Sequence, residues 1–145
     1  MESLDALSAL DAKRNAEAQM AKAASCPPWR HAVFGLMMGG LVASPAFDMA
    51  VRMGILVILL ALIPIIIHSD RKRMGMFING YRRGKTRIVA ISILIVELSL
   101  YAVAVVRGID HHDHVTPLLL GAVGVVIGIL GSMIWQRVFV REMGA

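Results

Sequence analysis

Residues 87–107 read Arg-Ile-Val-Ala-Ile-Ser-Ile-Leu-Ile-Val-Glu-Leu-Ser-Leu-Tyr-Ala-Val-Ala-Val-Val-Arg. The apolar run between the two arginines, Ile88 to Val106, is close to the ~20 residues a helix needs to cross a bilayer. A single acidic residue, Glu97, stands at its centre. Inside hydrocarbon a backbone must satisfy its own polar groups, so a run of this kind spans as an α-helix.

Three further blocks of this kind lie on either side. The first covers residues 31–47, the second 49–67 and the last 117–135. The first is short for a span, but Trp29 and Arg30 suit the headgroup layer and can extend it. Ser44-Pro45-Ala46-Phe47-Asp48 makes the tight turn between the first two blocks. Pro64 falls near the end of the second, and residues 68–87 then form a basic loop. The composition agrees with this division. The chain is 57% hydrophobic with a mean hydropathy of +0.70, against about 45–50% apolar residues in a soluble domain. The expected fold is an all-α integral membrane protein with four transmembrane helices in residues 29–145, preceded by an N-terminal helix in residues 1–28.

That N-terminal segment is Ala-rich. Leu4, Leu7 and Leu10 recur at three-residue spacing, with Asp5, Asp11, Lys13, Arg14, Glu17 and Lys22 between and after them. It reads as an amphipathic surface helix or as a solvated appendage, stopped by Pro27-Pro28. Residues 1–25 contain no apolar stretch of signal-peptide type, so insertion is expected to rely on the first transmembrane helix. The one cysteine, Cys26, has no partner for an intrachain disulfide and no metal-ligand spacing around it.

Charge sets the expected orientation. The formal net charge is +5 and the pI about 10.0. Arg71, Lys72, Arg73, Arg82, Arg83, Lys85 and Arg87 crowd the middle loop, and the two ends of the chain are also basic. The other two loops are nearly free of cations, apart from Arg52 and Arg107 at span ends. By the positive-inside rule the N-terminus, the middle loop and the C-terminus are expected to be cytoplasmic, with the protein in the cell (inner) membrane. Because this rule accounts for the cations, no nucleic-acid partner is expected. Met74, Met76, Phe77, Ile78 and Tyr81 lie among the middle-loop cations, and Asn79-Gly80 is a turn signal. The mixture suits a segment at the headgroup surface that binds anionic lipid.

Glu97 is the most informative residue. An acidic side chain at the bilayer centre costs about 2.5–3.5 kcal/mol on insertion scales, so it faces a bundle interior, an oligomer interface or a watery cavity. At 100° per residue, Ala90, Ile93, Glu97, Tyr101 and Ala104 share one face. Tyr101 offers a hydroxyl one turn away, and Arg52 is the nearest candidate counter-charge. Two readings stand open: a titrating or ion-binding group, or a structural hydrogen-bond anchor between helices.

Small residues form two stripes. Gly121, Gly124, Gly128, Gly131 and Ser132 lie on one face of the fourth block, and Ala32, Gly35, Gly39 and Ala43 on one face of the first. Such faces let helix backbones approach closely in lipid. The two stripes either pack on each other within one subunit, or build a homo-oligomer or dock a partner. Between the third and fourth blocks, Asp110-His111-His112-Asp113-His114 is the one dense cluster of metal-type ligands, a weak divalent-metal candidate beside the simpler reading of a solvated hairpin.

No catalytic constellation and no phosphate loop stand out, and no histidine lies deep in a span, so an enzyme is not expected. Two functions follow. The first is a small oligomeric membrane protein of transporter or channel type, moving a proton, cation or proton-coupled solute through Glu97. The second is a non-catalytic accessory or assembly subunit of a larger membrane complex, docked through the glycine-rich faces.

Overall fold

The computed structural model describes residues 2–23, 27–74 and 84–142, and among them every regular element is a helix. In chain order these are α1 (Glu2–Ala23), α2 (Pro28–Ala43), α3 (Met49–Met74), α4 (Lys85–Val105) and α5 (Val115–Glu142). Three stretches are long and apolar enough to cross a membrane: Met49–Ser69, Lys85–Asp110 and Val115–Glu142. α2 has 16 residues and falls short of that length. Cys26, the turn Asn79-Gly80, and Met76, Phe77, Ile78, Tyr81, Arg82 and Arg83 lie outside the described residues.

α1 forms where the Ala-rich segment places it. Leu7 and Leu10 are exposed, and polar and apolar residues are spread almost evenly about its axis. Three-residue spacing explains this, because each step turns 60° short of a full circle and the leucines drift round the helix. Pro27 is extended (φ −65°, ψ 146°) and Pro28 opens α2, a position where a missing N–H costs nothing. At the other end of α2 the chain tightens into a short 3₁₀ turn, Ser44–Ala46. There the Ser44 hydroxyl donates to the Leu41 carbonyl at 2.8 Å. Asp48 caps α3, its Oδ1 accepting from the Val51 N–H at 2.9 Å.

The second and third helices differ from expectation at the basic loop. α3 does not stop near Ile67 but runs through Pro64 and on through Arg71, Lys72 and Arg73 to Met74. α4 begins already at Lys85. An interior proline removes one hydrogen bond at about 3 kcal/mol. In an apolar stretch, however, the flanking backbone has no better partners than its own ladder, so the helix resumes. The fourth helix likewise continues past Trp135 to Glu142, and Trp135 stacks on Phe139 one turn later, with centroids 5.3 Å apart and planes at 10°.

The heart of the fold is the contact of α2 with α5. A methyl group at Gly35 would stand 2.5 Å from Ile129 Cγ1 and 2.6 Å from the Val125 carbonyl oxygen. One at Gly121 would meet Ala43 Cβ at 2.6 Å, and one at Gly128 would meet Gly35 Cα at 2.8 Å. Gly39 is pressed equally closely against Val125 and the Gly121 carbonyl. The two small-residue stripes therefore pack on each other within the chain, backbone against backbone. α4 lies in the remaining groove of α5, where Ile93 fills the space beside Gly131 (2.6 Å to an added methyl). α3 is different: no residue of its apolar span is buried, and the stripe nearest α2, with Leu56, Leu59 and Leu62, is only half-buried. Gly40 approaches Leu59 only to an ordinary van der Waals distance.

Both ends of the bundle are tied. At one end the Lys85 N–H donates to the Glu142 carboxylate, and the Thr86 hydroxyl donates to its other oxygen at 3.5 Å. An anion at a helix N-terminus is favoured by the unpaired N–H groups there. Gly84 makes the approach with φ +144°, a backbone conformation that L side chains rarely adopt. At the opposite end Gly108 sits on the Pro45 carbonyl and against Pro117, so the turns after α2 and α4 are stitched together.

Gly39→Val therefore forces α2 off α5, and thermal unfolding in detergent is expected to show a loss of at least about 1–3 kcal/mol. Gly54, with nothing within 4 Å of an added methyl, is the control: Gly54→Ala is expected to leave stability unchanged or slightly raised.

Candidate functional site

α4 places Glu97 in the crease between α2 and α5. The residue is 5% exposed, and neither carboxylate oxygen has a hydrogen-bond partner among the described residues. Its wall on α5 is Gly124, where an added methyl would stand 3.1 Å from Glu97 Oε2, 3.3 Å from Gly39 Cα and 3.6 Å from Val42 Cγ2. The carboxyl thus lies against Gly124, at the place where α5 passes Gly39 and Val42 of α2. A methyl at position 124 would press on both Glu97 and Gly39, so one residue bears on both the helix contact and the seat of the carboxyl.

The expected face of α4 is the packed one. Ile93 enters the groove at Gly131, Glu97 lies at Gly124, and Ala104 is fully buried. Tyr101 is half-buried one turn beyond. Neither Tyr101 nor Arg52 hydrogen-bonds the carboxyl, since both of its oxygens are unpartnered. Arg52 Nη2 instead donates to the Phe47 carbonyl at 3.3 Å, close to the start of α3, and its Nε is buried without a partner. Side-chain length alone had brought Arg52 into range; the backbone carbonyls exposed at the turn hold it first.

A carboxyl in this setting has restricted chemistry. An isolated carboxylate out of water is very costly, and no cation is in place here to offset it. The group can carry a proton, or it can hold a desolvated cation that enters the crease. Among the described residues no group donates a hydrogen bond to it.

Polar groups that sequence reasoning left aside also meet. His31, 8% exposed, has Nδ1 2.8 Å from Ser132 Oγ, which joins the start of α2 to the far end of the α5 glycine face. Trp135 Nε1 is buried without a partner. Ser132 stands in register with the glycine stripe, which was the available signal; His31, at the first position of its apolar block, offered none.

The His-rich segment is structured. α4 ends in a wider π-type turn, Val106–Asp110, and His112 takes a positive φ of 52°. His114 Nδ1 donates to the Ala46 carbonyl at 2.6 Å, tying this turn to the one after α2. Asp113 caps α5: its carboxylate accepts from the Val115 N–H at 2.9 Å and the Thr116 N–H at 3.1 Å, and from the Thr116 hydroxyl. Among the described residues no three His, Cys, Asp or Glu side chains are grouped to hold a metal ion. His111, His112 and Asp110 are exposed. The expected headgroup cations Arg71, Lys72 and Arg73 lie on the last turns of α3, and Lys85 and Arg87 open α4.

The chain matches no protein-family model, and comparison with curated proteins and with solved structures returns no match.

The Thr116 hydroxyl, foremost, and the α5 N–H groups hold the Asp113 carboxyl below its usual range. A depressed folded value stabilises the fold above the ordinary carboxylate value, and that contribution is lost as the pH falls through the folded one. Asp113→Asn is thus expected to lower the melting temperature at neutral pH, and the difference from the native chain should shrink below about pH 4.

Proposed function

We propose that this chain is a small membrane transporter or channel in which Glu97 carries the proton or cation that moves. The observation that supports the reading most directly is a carboxyl 5% exposed, at the centre of an apolar helix, with neither oxygen partnered among the described residues. A group so costly to place and so little used for structural hydrogen bonding fits an exchangeable proton or ion.

In this reading the chain crosses the bilayer four times. α2 and the turn after it, residues 28–46, reach roughly 28 Å at about 1.5 Å per residue, close to the ~30 Å of hydrocarbon. Trp29 and Arg30 then sit at the headgroups. α1 lies outside the membrane. The basic ends of α3, α4 and α5 face the cytoplasm of a cell whose inner membrane holds the protein. One copy, with its glycine faces consumed internally, encloses little space, so a pathway past Glu97 calls for two or more copies.

The second reading, an accessory subunit of a larger membrane complex, has one observation in its favour. α3 carries an apolar surface that the rest of the chain leaves bare. The glycine faces no longer support it, because they are spent between α2 and α5.

Proteoliposomes with an imposed pH gradient and a trapped pH-sensitive dye test the leading reading. Glu97→Gln, nearly isosteric, is expected to cut proton or proton-coupled cation flux at least about tenfold, equivalent to about 1.4 kcal/mol, while the melting temperature holds. Equal flux from the two proteins rules out Glu97 as the carrier. Mass measurement after mild-detergent extraction separates the second reading: a stable foreign subunit favours it, and a homo-oligomer favours transport.

A further inference from the structure

The last turns of α5 hold a cavity that neither Glu97 nor the loops use. It has a volume of about 380 Å³ and is lined by His31, Met133, Gln136, Arg137, Val140 and Arg141. Small-molecule sites run from roughly 300 to 1,000 Å³. This one has room for a phosphodiester headgroup and the first carbons of its chains, not for a whole lipid.

The lining residues follow helical spacing, so Met133, Gln136, Arg137, Val140 and Arg141 form one face of α5. His31 closes the site from α2, nine-tenths buried and held in place by Ser132 at 2.8 Å. Arg137 and Arg141 are one turn apart, near enough for two guanidinium groups to grip one phosphate. Met133 lies a turn deeper and adds an apolar wall. Depth in the bilayer completes the match. The 28 residues of α5 extend about 42 Å at 1.5 Å per residue, longer than the ~30 Å hydrocarbon core. The turns bearing Arg137 and Arg141 therefore lie at the headgroup layer, with Met133 just inside it.

We propose that this cavity is a binding site for an anionic phospholipid, its phosphate on Arg137 and Arg141 and its glycerol and upper acyl chains against Met133 and Val140. The inference rests on the helices being membrane-embedded, and it is independent of any transport through Glu97. It also differs from diffuse attraction by the cations of α3 and α4, because the ligand enters a concave site with an apolar wall.

The test is native mass spectrometry of the purified full chain, titrated with phosphatidylglycerol or phosphatidylcholine in detergent. The native protein is expected to retain phosphatidylglycerol in preference to phosphatidylcholine. R137Q/R141Q should weaken that binding about thirtyfold, or about fivefold per cation. R137K/R141K, which keeps the charge, should stay within about fivefold of the native chain. Arg71→Gln with Lys72→Gln should lose less than about twofold. If the double Gln variant aggregates, R141Q alone, at an exposed position, carries the expected fivefold loss. Equal retention of the two lipids overturns the proposal. So does an equal loss from the Arg71 and Lys72 pair, or displacement of the lipid by millimolar inorganic phosphate, which would assign the site to a free anion.

Discussion

The backbone-to-backbone contact of α2 with α5 is the constraint on which the other features depend. In lipid no hydrophobic force drives two apolar helices together, so association relies on close van der Waals packing and hydrogen bonds. Gly35, Gly39, Gly121 and Gly128 remove every side chain that would hold the axes apart. The contact is then long and close, and it leaves a shallow crease along α5 that a third helix can occupy. α4 fills it with Ile93 and Glu97, so the position of the carboxyl is inherited from the glycines of two other helices.

The same contact distributes polarity. Once α2 and α5 are locked in register, His31 meets Ser132 at one end and the turns around Pro45 and Gly108 meet at the other. Glu142 and the first turn of α4 fasten the end that also carries Arg137 and Arg141. Asp113 and His114 organise the opposite end through backbone partners. Most polar side chains at the two ends thus find partners, Arg52 Nε and Trp135 Nε1 excepted. Glu97, between them, is satisfied by nothing, and that contrast gives the residue its functional interest.

Much of the helical framework was legible in the sequence because length and composition govern it. The unbroken apolar runs define α3, α4 and α5. The Pro27-Pro28 stop and the turn at Ser44–Asp48 bound α2 correctly. The inward face of α4 and the two small-residue stripes follow from 100° geometry, which left open whether the stripes meet each other or another chain. What was not legible depends on the order of helices in space. Helical spacing identifies Gly124 as an interface residue, but only the assembled bundle shows that its missing side chain makes room for Glu97. Charge and reach made Arg52 the natural counter-ion, yet local carbonyls at Phe47 hold it. The histidine-rich loop looked like a ligand cluster because ligands were counted rather than directed. His114 and Asp113 are committed to the backbone. The continuation of α3 past Ile67 to Met74 was not legible because a nearby proline and a run of charges both resemble a stop.

Closure of α2 on α5 inside a single subunit can be measured by disulfide trapping in native membranes. His31→Cys and Ser132→Cys replace the pair now 2.8 Å apart, in a background where Cys26 is changed to serine. With the arrangement described, oxidation joins the two cysteines within one chain, seen as a reducible linkage between its N- and C-terminal proteolytic fragments at monomer mass. Cross-linking confined to dimers would place the glycine faces between subunits, and the seat of Glu97 would be lost with them.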